Sequence, residues 1–119
     1  MKATKPFEAC STVGDVATFD CGNGIVAHVT IVEDEFSTHD VLSEDSDMPE
    51  ELYTQEDREA FARGDRGFVG VTVVLERAGW KRNGFQGLWG IEVDWDRDNS
   101  PNLNECARDV ASWAVNEVC

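Results

Sequence analysis

The tripeptide Gly22-Asn23-Gly24, with the eight residues after it, constrains this chain more than any other feature. Gly and Asn accept positive φ at little cost, so the tripeptide reads as a tight hairpin turn. Behind it Ile25, Ala27, Val29 and Ile31 alternate with Val26, His28, Thr30 and Val32. A period of two is that of a strand, and the first set is the better core face. His28 then belongs to the more exposed side. Residues 12–21 supply the partner strand, so the amino-terminal part is an antiparallel hairpin.

Helical and strand patterns alternate through the rest of the chain. Thr54 reads as an N-cap with Asp57 three residues on, and residues 55–63 form a short helix holding Ala60 and Phe61 and closed by Gly64. Val69, Val71, Val73 and Leu75 define a third strand over about 67–77, and residues 78–84 turn the chain back. A fourth strand over about 85–95 places Phe85, Trp89, Ile91, Val93 and Trp95 on one face. Asn99-Ser100-Pro101 starts a final helix. Its apolar stripe runs through Leu103, Cys106, Ala107, Val110, Ala111, Ala114, Val115 and Val118. The order β-β-α-β-β-α predicts an α+β fold: a four-stranded antiparallel sheet with the C-terminal helix packed across one face. Residues 1–119 then form a single domain with an acidic loop at about 33–51. Trp89, Trp95 and Trp113 are expected in its core. Trp80, beside Lys81 and Arg82, is expected to be exposed.

The first residues carry two lysines with no apolar run behind them, and no stretch approaches the roughly 18 apolar residues of a membrane span. The expected compartment is the cytoplasm. Cys10, Cys21, Cys106 and Cys119 are widely spaced, so free thiols are expected, with Cys106 in the core. Structural zinc sites favour closely paired ligands, a pattern these cysteines lack.

Function is constrained by charge. The chain has 24 acidic residues against 10 basic ones, a formal net charge of -14. Binding to nucleic acid by counterion release needs clustered Lys and Arg, so no direct nucleic-acid partner is expected, and no anionic membrane. Residues 33–65 hold 13 acidic residues against Arg58 and Arg63, a local charge of -11. Glu33, Asp34, Glu35, Glu44, Asp45, Asp47, Glu50 and Glu51 all fall in the loop. A second group, Glu92, Asp94, Asp96 and Asp98, is spaced by two, which on a continuing strand would place four carboxylates on one face about 6.7 Å apart.

Three readings follow. Acidity can serve solubility alone. Carboxylates on a firm scaffold can imitate the phosphate array of DNA and occupy a basic groove, with Trp80 as an apolar anchor. Finally, Asp94, Asp96, Asp98 and Glu105 stand at positions one, three, five and twelve of an EF-hand-like calcium loop, although Asn99 replaces its glycine and Pro101 its apolar position eight. The phosphate-binding, nucleophile-elbow and zinc-protease motifs are missing. No enzyme activity and no cofactor are expected.

Three stretches carry a resemblance: Tyr53-Thr54-Gln55-Glu56-Asp57, Gly67-Phe68-Val69-Gly70-Val71 and Gly87-Leu88-Trp89-Gly90-Ile91-Glu92. Over residues 53–118 the chain resembles small uncharacterised proteins of bacteriophages and prophages. In those, a short helix precedes an F-V-x-V-x-V strand, an R-x-G turn, an S-L-W-G-I-E-x-D strand and a closing helix. Arg77-Ala78-Gly79 matches the turn, and Gly87 stands where Ser is common. The resemblance carries over no catalytic or binding residue. It implies a mobile-element origin and, by association, inhibition of host defence. The leading expectation is a phage-type, DNA-mimicking inhibitor of a basic DNA- or RNA-binding host protein, such as a CRISPR effector or restriction nuclease. Its contact residues would be the twelve carboxylates just named in the loop and second group, together with Trp80.

Overall fold

A computed structural model describes residues 1–9, 11–34 and 55–118, with backbone alone for 82–86 and Val118. Five strands form one antiparallel meander in the order β1-β2-β3-β4-β5. They are β1 (Lys2–Lys5), β2 (Val16–Gly22), β3 (Ile25–Glu33), β4 (Arg66–Arg77) and β5 (Trp80–Asp94). Helix α1 (Gln55–Arg63) lies between β3 and β4 in the chain, and α2 (Ser100–Val118) follows β5. The α+β class and the two helices are as expected, but the sheet has five strands, not four, so the order begins with an additional strand.

The unexpected strand, β1, has the sequence Lys-Ala-Thr-Lys and no apolar alternation to announce it. It is held by neighbours instead. Lys2 pairs with Asp20 across the ladder, and Thr4 Oγ1 lies 2.8 Å from Thr18 Oγ1. The segment behind it is pinned to α2 by one side chain. Asn104 Oδ1 accepts from Phe7 N at 2.7 Å, and Asn104 Nδ2 donates to Phe7 O at 3.0 Å. Both backbone groups of buried Phe7 are thereby satisfied.

The core lies between α2 and one sheet face. Ala17 and Phe19 of β2, Ile25, Ala27, Val29 and Ile31 of β3, and Val69, Val71, Val73 and Leu75 of β4 meet Leu103, Ala107, Val110, Ala111 and Ala114 of α2. The alternation expected in β3 and β4 is thus the core face observed. Alanines at 17, 27, 107, 111 and 114 let the helix lie close to the strands.

β5 breaks the expected alternation. Val69 pairs with Ile91 and Val71 with Leu88, so Trp89 and Gly90 together oppose Gly70 in a β-bulge. Gly90 has φ +72°, a conformation only glycine adopts freely. The bulge turns Leu88 toward the core and puts Trp89 on the opposite face. There its ring lies against Gly70, where a Cβ would meet Trp89 Cε3. The expectation of a tryptophan core is therefore corrected. Trp89, Trp95 and Trp113 are 55%, 37% and 41% exposed. Trp95 lies beyond the end of β5, and Trp113 falls off the stripe of α2. The reversal also needs less chain than expected: only Ala78 and Gly79, at φ +50° and +85°, separate β4 from β5, so Trp80 already belongs to the strand.

Gly90→Ala should destabilise the protein by about 1–2 kcal/mol, because an L side chain must enter the left-handed region. Gly67→Ala, whose Cβ would meet only Trp95 Nε1 at 3.8 Å, should be neutral or stabilising by up to about 1 kcal/mol. Urea denaturation of the two variants measures the contrast.

Candidate functional site

Sheet register gathers acidic residues at one end. Glu33 pairs with Val69, Phe68 with Glu92 and Arg66 with Asp94, so β3 leaves, β4 enters and β5 leaves together. Helix α1 packs over the same end, on the face away from α2, through Phe61 stacked on Phe68 with ring centroids 5.1 Å apart. The chain between Asp34 and Gln55 leaves and rejoins the described structure here. That intervening chain holds the expected contact residues Glu35, Glu44, Asp45, Asp47, Glu50 and Glu51, which lie outside the described residues, as do Cys10, His39 and Cys119.

Several carboxylates at this end serve the fold. Asp34 is only 4% exposed, and its Oδ2 accepts from Gly90 N at 2.8 Å. Its own N–H donates to Phe68 O at 3.2 Å. It secures the bulge and cannot meet a partner, which corrects its assignment as a contact residue. Arg66 Nη1 donates to Asp57 Oδ1 at 2.6 Å, and its Nη2 pairs with Glu92 Oε1. Its guanidinium also lies 4.9 Å from the centre of the Phe61 ring. Glu92 is thus partly neutralised by the protein's own arginine, although it stands on the exposed surface.

The proposed ladder of Glu92, Asp94, Asp96 and Asp98 does not form, because β5 ends at Asp94. Asp94 Oδ1 accepts from Asp96 N at 3.0 Å, and Asp94 Oδ2 lies 3.7 Å from Arg97 Nε. Asn99 Oδ1 accepts from Asp94 N, while Asn99 Nδ2 donates to Asp94 O at 2.9 Å, closing the turn. Asp98 Oδ1 accepts from Ser100 N at 2.9 Å and from Ser100 Oγ at 2.6 Å. These two bonds hold the Asp98 carboxyl below the ordinary value of 3.8. The would-be calcium ligands are therefore turned to closing a loop and starting α2. No group of three or more His, Cys, Asp or Glu able to hold a metal ion exists among the described residues. Asp94, Asp96, Asp98 and Glu105 do not make a calcium cage.

Glu33, Glu56, Glu59 and Asp96 are exposed at this end with no ion pair among the described residues; Asp98 is exposed too, but its carboxylate is engaged by Ser100. Glu56 and Glu59 of α1 carry no expected contact role from the sequence; only their membership of the acidic stretch pointed to them. Trp80 is 82% exposed, as expected, but it stands at the far end of the β4–β5 hairpin. The length of β4 separates it from the acidic end by about 35 Å. The expected site therefore divides into two.

His28 sits half-buried on the face away from α2, with Nε2 3.9 Å from Glu76 Oε1. Cys21 and Cys106 are each half-buried at the margin of the core. Burial, then Asp109 and Glu105, push the Cys106 thiol up, so it stays protonated and is not an activated nucleophile.

A carboxyl with a depressed folded pKa adds stability above its unfolded value and loses it as pH falls through the folded value. Ser100→Ala removes the hydroxyl donor and should raise the Asp98 pKa toward 3.8, as read by NMR titration. Asp34→Ala should cost about 1–3 kcal/mol by leaving the Gly90 N–H without its carboxylate acceptor, measured by urea denaturation.

Compared with protein-family models, curated proteins and solved structures, the chain matches none.

Proposed function

We propose that this protein is a non-enzymatic inhibitor whose acidic end occupies the basic cleft of a nucleic-acid-handling host protein. The observation supporting this reading is charge asymmetry along a rigid sheet. Glu33, Glu56, Glu59 and Asp96 are exposed together at one end. The chain that leaves and rejoins there, residues 35–54, adds seven acidic residues and no Lys or Arg. Concentrated like charge opposes compaction, so its clustering beside a packed sheet favours a role in contact. The natural complement is a groove lined with Lys and Arg, as in proteins that grip DNA. Within that class we favour a defence effector such as a CRISPR complex or a restriction nuclease, in keeping with the phage-type resemblance of residues 53–118.

The carboxylates would act in two ways. At long range they raise the encounter rate with a positive surface, and in contact they accept charge-assisted hydrogen bonds from Arg and Lys. The geometry that fits is a cluster on the end of β3, the outer side of α1 and the turn after β5, in place of a strand-borne ladder.

Binding to such an effector should weaken steeply with added salt and compete with DNA for one site, as read by calorimetry and by displacement of labelled duplex. The triple reversal Glu33→Lys, Glu56→Lys, Glu59→Lys should lower affinity at least tenfold with the fold intact by circular dichroism. Unchanged affinity would overturn the proposal.

A further inference from the structure

The sheet face away from α2 carries an exposed indole held in a defined pose. The bulge in β5 sets Trp89 on this face, and two glycines let its ring lie down on the strands. A Cβ on Gly70 would collide with the six-membered ring at Cε3 and Cζ3, and one on Gly87 would lie 3.1 Å from Nε1. The two halves of the indole therefore rest on two separate stretches of backbone. One ring face is pressed on the sheet and the other looks into solvent, in keeping with its 55% exposure. Glycine weakens a strand and is kept where another group must approach the backbone closely. Trp89 adds nothing to the core between α2 and the sheet, so what the two glycines hold is a flat platform.

Polar groups stand beside the platform in one row. Gly87 pairs with Thr72 and Thr72 with Thr30, so the threonines lie about 5 and 10 Å from Gly87 across the strands. Both are half-buried, and neither hydroxyl makes a hydrogen bond among the described residues. On either side of the row Glu92 pairs with Arg66 and Glu76 with Lys81, so the row itself is electrically neutral.

We propose that Trp89, Thr72 and Thr30 form a binding platform for a neutral oligosaccharide, with one sugar ring stacked on the indole and the next reaching the two hydroxyls. A pyranose can present a patch of C–H groups, whose slight positive charge suits the negative face of an indole. Its rim carries hydroxyls, which can both donate to and accept from the threonines. An uncharged ligand matches the uncharged row. A nucleic acid would find no free cation there, and a net charge of -14 repels an acidic glycan. The same charge opposes a second copy of the chain on this face. A proline-rich segment docks in a groove lined by several aromatic rings. Here Trp80 pairs with Arg77 and Trp95 approaches Gly67, both in phase with the core residues Val69 and Val71 and so on the side of α2. The platform does not depend on the acidic end having a partner.

The test titrates maltohexaose, cellohexaose, mannohexaose and chitohexaose into the intact protein. Binding is read by calorimetry and by the Trp89 indole N–H signal in NMR spectra. At least one of the four should bind and shift that signal, with little dependence on salt. Trp89→Ala should weaken binding at least about tenfold, as loss of an aromatic anchor does, while Trp89→Tyr keeps part of it. Thr72→Val, close in shape and suited to a strand, should weaken it about 2–12-fold through the lost hydrogen bond. Circular dichroism checks that each variant is folded, and Thr72→Val decides the matter if Trp89→Ala is not. No binding of any of the four sugars, or unchanged affinity in Thr72→Val or in folded Trp89→Ala, would overturn the proposal. Tighter binding of decaproline, or a dimer in sedimentation that Trp89→Ala dissolves, would overturn it in favour of another occupant. Reversal of Glu33, Glu56 and Glu59 is expected to leave sugar binding unchanged, and a loss there would count against the site.

Discussion

The contact between α2 and one face of the sheet is the constraint on which the other features depend. Small residues at 17, 27, 107, 111 and 114 let helix and strands approach closely, and Phe19, Val29, Ile31, Leu103 and Val110 fill the space between. Because the core is one-sided, every residue on the other face is left to α1, to side-chain networks or to solvent. Phe61 on Phe68, with Arg66 between Asp57 and Glu92, is the local answer at one end. That small cluster joins α1 to β4 and, through Glu92, to the edge strand β5 without adding to the main core.

The bulge at Trp89-Gly90 couples this architecture to charge. It takes a tryptophan out of the core pattern, keeps Ile91 and Val93 in it, and leaves a backbone N–H that Asp34 caps from the end of β3. A carboxylate accepting a backbone N–H away from water is a strong bond, and here it ties β3 to β5 across β4. One acidic residue of the stretch is thus structural while its neighbour Glu33 stays exposed. The same division recurs after β5, where Asp94 and Asp98 build the entry to α2 and Asp96 remains in solvent. Charge counts along a sequence overstate the charge a partner can meet, because the fold uses some carboxylates as hydrogen-bond acceptors.

Much of the fold was legible beforehand. The Gly22-Asn23-Gly24 turn, the alternation of β3 and β4, the limits of α1 and the stripe of α2 all follow from local periodicity and turn chemistry. β1 was not legible, since Lys-Ala-Thr-Lys has no pattern and pairs only because β2 and α2 present partners to it. The isolated Gly90 inside a strand was a signal for a bulge, and reading it would have removed Trp89 from the core. The candidate site was legible only as composition. Nothing in the spacing of Glu92, Asp94, Asp96 and Asp98 tells where β5 ends, and that end decides whether they form a ladder or a turn.

Apart from β1 and the bulged β5, local sequence therefore determined which segments are strands or helices and which of their faces are apolar, and it showed that negative charge is concentrated between residues 33 and 65. Those properties rest on interactions within a few residues. Tertiary structure alone decided that Asp34 is buried, that Arg66 neutralises Asp57 and Glu92, and that Trp80 stands at the opposite end from the carboxylates. Each is a relation between residues far apart in the chain, set by strand register and by helix packing, and pairing energies of that kind have no local signature.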